Sequence, residues 1–285
     1  MKENIVALVT PFNEDLSVNY DKLIELLNYH IKEKTDGILL LGTTSEAPTL
    51  TLVEKENIVK IVSEYIGDRI PIWVGISTNN LNTLKEEIEI FEKFKFQNYL
   101  IITPFYNKCN NEGMYKYFLE ISKLTNRGII IYDVEARTNN PINLDVLKRL
   151  ILIDNIVGIK ECTNDFKRII EIVKLNSDKF KVYSGDDLFI PVYASLGVFK
   201  IVSVASNVMS KTISQMLEDY IVDIQKGTQT FYIYENQMKN LFIDINPIGI
   251  KTIMNHLGYD VGGFRLPLYG MDEVKEDILT SSWKE

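Results

Sequence analysis

A lysine that ends a short apolar run is the residue of this chain best suited to covalent chemistry. Lys160 follows Ile156-Val157-Gly158-Ile159, so its amine would leave a strand end into a water-poor mouth. Loss of hydration disfavours an ammonium, and a neutral amine is the form that attacks a carbonyl. The same lysine could also pair with Glu161 or stand solvated. Tyr132 ends the preceding run, Gly128 to Tyr132, and its phenol could pass protons to a neighbouring amine. A rim aromatic is the plainer reading. Gly42-Thr43-Thr44 follows Ile38 to Leu41; the glycine allows close approach, and the two hydroxyls and the amides beyond them suit a carboxylate. Arg137, in the loop after Tyr132, offers a forked guanidinium to an anion.

These residues need elements to position them. Apolar runs recur at Ile5 to Val9, Gly37 to Leu41, Pro71 to Ile76, Tyr99 to Ile102, Gly128 to Tyr132, Ile156 to Ile159, Phe180 to Tyr183 and Val198 to Val204. Their continuous hydrophobicity suits parallel strands buried on both faces. Amphipathic stretches lie between them, such as Asp21 to Lys34 and Leu52 to Tyr65. This alternation predicts an α/β fold, a (β/α)8 barrel over residues 1–225, in which strand ends carry the chemistry. Helices are predicted at Met209 to Gln225, Gln229 to Ile243 and Pro247 to Leu257, giving a C-terminal helical appendage over 226–285. An open doubly wound sheet is the rival, but neither glycine-rich phosphate fingerprint is present.

Other charged residues have plainer uses. Lys200 sits inside the last apolar run with no row of hydroxyls after it, and is expected to be structural or solvent-reaching. Asp186 and Asp187 are expected to cap a helix rather than hold a metal. His30, near Leu27 and Ile31, is expected to pack.

Composition narrows the chemistry. A formal charge of -8 leaves no basic footprint for nucleic acid. With 2 histidines a three-histidine metal site is impossible, and 2 cysteines without a CxxC pair fit a reducing compartment. The N-terminus does not read as a secretory signal and no stretch is long enough to span a membrane, so the cytoplasm is expected.

Short motifs in order along nearly the whole chain carry a resemblance. They are Ala7-Leu8-Val9-Thr10-Pro11-Phe12, Gly42-Thr43-Thr44-Ser45-Glu46, Thr103-Pro104-Phe105-Tyr106-Asn107, Tyr132 through Arg137-Thr138, Gly158-Ile159-Lys160-Glu161, Ser184-Gly185-Asp186-Asp187, Asn246-Pro247 and Arg265-Leu266-Pro267. The chain resembles the dihydrodipicolinate synthase and N-acetylneuraminate lyase family of pyruvate-dependent class I aldolases. The resemblance implies a lyase with no cofactor beyond an imine between pyruvate and Lys160. Tyr132 would shuttle protons; Thr43 and Tyr106 would complete a hydroxyl relay, Tyr106 reaching into a neighbouring subunit of a homotetramer or homodimer. Thr44, Gly185 and the backbone of Val202 would cradle the pyruvate carboxylate.

Thr43-Thr44 and Arg137-Thr138 resemble the branch that condenses pyruvate with aspartate semialdehyde for lysine and diaminopimelate biosynthesis, Arg137 holding the aldehyde's carboxylate. Another pyruvate aldolase, acting on a sugar-acid aldehyde or N-acetylneuraminate, is the alternative; a non-catalytic binding barrel is a second. Four positions depart from the pattern: Ser45 for glycine, Asp133 for asparagine, and Glu135-Ala136 for proline and a small residue. A carboxylate at 133 or 135 is expected to pair with Arg137 and compete with an anionic substrate. The lysine effector site of sensitive relatives is poorly matched, with Asn79 retained but Phe105 in place of tyrosine and Leu52, Lys55 and Thr83 elsewhere, which predicts insensitivity to lysine.

Overall fold

The computed structural model describes residues 1–283. Every apolar run predicted as a strand is one: β1 (Glu3–Ala7), β2 (Gly37–Leu40), β3 (Ile72–Ile76), β4 (Asn98–Ile102), β5 (Gly128–Asp133), β6 (Ile156–Glu161), β7 (Lys181–Ser184) and β8 (Lys200–Ser203). Each pairs in parallel with its neighbour in chain order, and β8 returns to β1, closing the barrel. Strand side chains alternate between two faces. One set fills the interior, where Leu39, Trp73, Leu100, Ile130 and Val202 pack together; the other meets the helices.

The helices are α1 (Tyr20–Lys32), α2 (Leu52–Ile66), α3 (Leu81–Phe91), α4 (Asn111–Ser122), α5 (Glu135–Thr138), α6 (Leu144–Leu150), α7 (Phe166–Val173), α8 (Ile190–Ser195), α9 (Ser206–Val222), α10 (Ile224–Asn240), α11 (Ile248–His256) and α12 (Glu273–Ser281). Local chemistry sets their starts. Thr51 and Glu54 form a reciprocal capping box at α2, and the Asn19, Asn80 and Asp165 side chains cap α1, α3 and α7. Among the described residues no helix is long and apolar enough to cross a membrane. His30 packs as expected, fully buried with Nδ1 3.0 Å from the Thr35 hydroxyl.

Two expectations shift. The break expected between Gln225 and Gln229 falls at Asp223, whose carboxylate caps α10 through the Gln225 and Lys226 amides. Gly227, which reads as a breaker, lies inside α10 because Tyr220 crosses there; a Cβ on it would come within 2.3 Å of that ring. Lys200 is the first residue of β8, not its middle, and pairs with Glu3 at the barrel end opposite the strand C-termini.

One polar contact ties the C-terminal helices to the barrel mouth. Lys251 of α11 and Glu46, in the loop after β2, are both fully excluded from solvent with Nζ 2.8 Å from Oε1. Glu46 takes a left-handed backbone conformation, φ 56°, and its other oxygen accepts from the Arg265 amide at 3.2 Å. The loop carrying Thr43 and Thr44 is thereby held from the far end of the chain.

Candidate active site

The C-terminal strand ends surround a cavity of about 580 Å³ whose lining includes Thr43, Thr44, Tyr132, Arg137, Lys160 and Gly185. These residues are separated by as much as 142 positions of sequence, from Thr43 to Gly185, and barrel closure brings them together.

Lys160 and Tyr132 face each other across the β5–β6 ladder. Lys160 is 6% exposed, and its Nζ stands 4.3 Å from the centroid of the phenol ring, so the amine and the aromatic face are in direct contact. Burial raises the Tyr132 pKa above its ordinary value; the Lys160 ammonium and the Thr43 hydroxyl pull the other way. The phenol therefore holds its proton at neutral pH and is a donor. Burial also pushes the Cys162 thiol, which lines the same cavity, up to about 12, so it is no rival nucleophile to the amine.

The alternative partner of Lys160 points away from it. Glu161 and Asp133 are the next residues of β6 and β5, paired with each other in the ladder, and alternation sends both out toward α7. There Arg168 bridges them, 2.6 Å from Asp133 Oδ2 and 3.1 Å from Glu161 Oε2. Burial raises both carboxyl pKa values, and for Glu161 the Asp133 charge adds to it, while Arg168 opposes. Asp133 also accepts from the Ile142 amide at 2.9 Å. The expected competition for Arg137 is absent: Asp133 is committed to Arg168, and Glu135 forms no ion pair among the described residues. Arg137 instead donates to the Asn246 carbonyl at 3.1 Å.

Gly185 has a steric reason to be glycine. A Cβ there would lie 2.2 Å from Cys162 Sγ and 2.9 Å from Lys160 Cε. Asp186, also in the lining, is raised by burial and held down by the Leu188 amide and the Lys160 ammonium. Its carboxylate caps the short turn that follows. Asp187, expected to share that task, reaches instead to β8, accepting from the Ser203 hydroxyl at 2.5 Å and the Val204 and Ala205 amides at 3.1 Å.

Val202 lies fully buried in the barrel interior and does not line the cavity. Tyr106 is 91% exposed and also lies outside the lining; nothing in this single chain brings its hydroxyl to Lys160. Sequence reasoning missed the side chains of Thr163, Asn164, Asp165, Phe242 and Asp244 in the mouth. Asn246, noted only within a motif, donates to the Thr44 hydroxyl at 3.0 Å, and Lys275 of α12 holds Asp244 at 2.6 Å.

The loop bearing Tyr106 bears on lysine sensitivity. Both ends of the Asn79 amide are committed: Nδ2 donates to the Phe105 carbonyl at 2.6 Å, and Oδ1 accepts from the Phe105 amide at 3.0 Å. Lys55 ion-pairs with Glu87 at 2.6 Å, so the polar groups of both side chains are already engaged with each other. Millimolar lysine is expected to leave the initial rate of condensation unchanged in a dose–response assay; strong inhibition would refute that.

Comparison with known proteins agrees with this geometry. The model of the dihydrodipicolinate synthetase family matches residues 1–285. A 4-hydroxy-tetrahydrodipicolinate synthase of Thermoanaerobacter sp. (strain X514) is 39% identical over 279 residues, covering 97% of this chain and 93% of the relative. The crystal structure of dihydrodipicolinate synthase from Aquifex aeolicus superposes with a TM-score of 0.94 at 34% identity, over 99% of this chain and 96% of that one. A structure described as the first monomeric dihydrodipicolinate synthase variant does so at 0.95 and 30% identity, over 99% and 95%. With the whole chain matched and the lysine, phenol and threonine pair converging at the strand ends, the protein belongs to the dihydrodipicolinate synthetase family.

Proposed function

We propose that this chain condenses pyruvate with aspartate semialdehyde through an imine on Lys160, acting as a 4-hydroxy-tetrahydrodipicolinate synthase. The observation that carries the reading is the Lys160 amine lying over the Tyr132 ring inside a cavity that also holds Thr43, Thr44 and Arg137.

The chemistry follows from what each group can give. Neutral Lys160 adds to the pyruvate ketone carbon, the Tyr132 phenol supplies a proton to the oxygen, and water leaves to give a protonated imine. That cation draws electrons from the adjacent methyl, which loses a proton to become an enamine carbon. The enamine attacks the aldehyde carbon, whose oxygen takes up a proton, forming the new carbon–carbon bond and restoring the imine; the amino group of the aldehyde substrate then adds to the imine carbon and expels the Lys160 amine, closing the ring and freeing the enzyme. Thr43 relays protons to the phenol, Thr44 and Gly185 hold the pyruvate carboxylate, and Arg137 takes the carboxylate of the aldehyde.

A neighbouring copy in a homodimer or homotetramer would supply Tyr106, whose exposure in the single chain leaves it available for that role. The two free cysteines, Cys109 and Cys162, suit a cytoplasmic setting. A helical appendage that begins with α10, two residues before the expected boundary at 225/226, takes in Phe242, Asp244 and Asn246 and so walls the mouth.

Borohydride added with pyruvate tests the reading: one stable adduct is expected on the Lys160 peptide by mass spectrometry. An unmodified peptide after complete reduction would end the proposal. Turnover of aspartate semialdehyde in preference to sugar aldehydes separates the synthase from a sugar-acid aldolase.

A further inference from the structure

The cavity mouth carries carboxylates that differ in how far they are engaged. Asp244 is held by Lys275. Asp165 accepts from the Lys167 and Arg168 amides as the cap of α7, and Asp186 accepts from the Leu188 amide. Among the described residues Glu135 alone of the lining carboxylates has neither an ion pair nor a hydrogen bond to its side chain. It belongs to α5, the single turn that also presents Arg137. Arg137 has no carboxylate partner either among the described residues; its side chain donates one hydrogen bond, to the Asn246 carbonyl.

One cation and one anion thus stand two residues apart on the same turn, both exposed and both lining the cavity, without pairing with each other. Had they paired, each would cancel the other for a substrate. Left apart, they complement a molecule that carries both charges. An α-amino acid aldehyde has a carboxylate and an ammonium on one carbon, whereas pyruvate and sugar aldehydes carry no ammonium. We propose that Glu135 is a specificity-determining residue that binds the α-ammonium of the amino-aldehyde substrate while Arg137 binds its carboxylate. The inference rests on the condensation proposed above and adds how that substrate is told from aldehydes without an amino group.

Steady-state kinetics of Glu135→Gln test it, with aspartate semialdehyde as substrate and succinate semialdehyde, which lacks the amino group, as competitor. The KM for aspartate semialdehyde is expected to rise roughly fivefold, the size appropriate to an exposed ion pair. The inhibition constant of succinate semialdehyde, the KM for pyruvate and the borohydride adduct on Lys160 are expected to stay at wild-type values. An unchanged KM for aspartate semialdehyde, or an equal weakening of both aldehydes, overturns the assignment. If wild-type protein traps pyruvate yet never turns over aspartate semialdehyde, the substrate reading itself has failed and Glu135 falls with it.

Discussion

Lys160→Ala is expected to give no borohydride-stable pyruvate adduct and to lower turnover at least about a thousandfold, since the covalent route itself is removed. Without the imine, the methyl proton must leave an unactivated ketone, and no neighbouring group can replace the lost electron sink. Cys162 is a protonated thiol in the same cavity. Lys200 lies at the opposite end of the barrel beside Glu3. Lys160→Arg is expected to be as inactive, because a guanidinium does not yield the neutral amine that imine formation requires. The fold should persist in both variants, for Lys160 makes no ion pair among the described residues and lines an open cavity. Wild-type circular dichroism together with lost turnover is the expected pair of results; retained turnover in Lys160→Ala would refute the assignment.

The second large effect is on stability. Lys251→Met leaves the buried Glu46 carboxylate without its ion-pair partner, and breaking such a pair from one side costs about 3–5 kcal/mol. Burial already pulls the Lys251 pKa below its ordinary value, and Glu46 counters that pull. The unfolding midpoint in urea should therefore fall well below that of the wild type. Combining Lys251→Met with Glu46→Gln removes the stranded charge and should recover more than half of the loss. A single variant as stable as wild type, or a double variant no better than the single, would contradict the account. Because Glu46 ends the turn that begins at Gly42, the single variant should also weaken pyruvate binding through displaced Thr43 and Thr44.

Much of this was legible in the sequence for a definite reason. Strands buried on both faces need continuous apolar runs, so eight of them stood out and their polar terminators marked the mouth. Lys160, Tyr132 and Thr43 were found this way. What the runs hid was direction. Asp133 and Glu161 look adjacent to the chemistry, yet strand alternation turns both outward to Arg168, and applying the two-residue period at the strand end would have revealed it. Helix breaks were harder to place: Gly227 mimics a terminator where a buried ring demands a glycine. Phe242 and Asp244 carry no spacing signal toward Lys160, since they reach the mouth only through the packing of the C-terminal segment.

The separation of tasks in space has an evolutionary consequence. Tyr132 and Lys160 sit on paired strands that also hold the barrel together, whereas Glu135, Arg137, Asn164 and Asp244 stand on segments outside the strands that can drift with little penalty. A lineage descended from this chain can thus try new acceptors while inheriting the proposed nucleophile intact, and duplicated copies should diverge first along the rim.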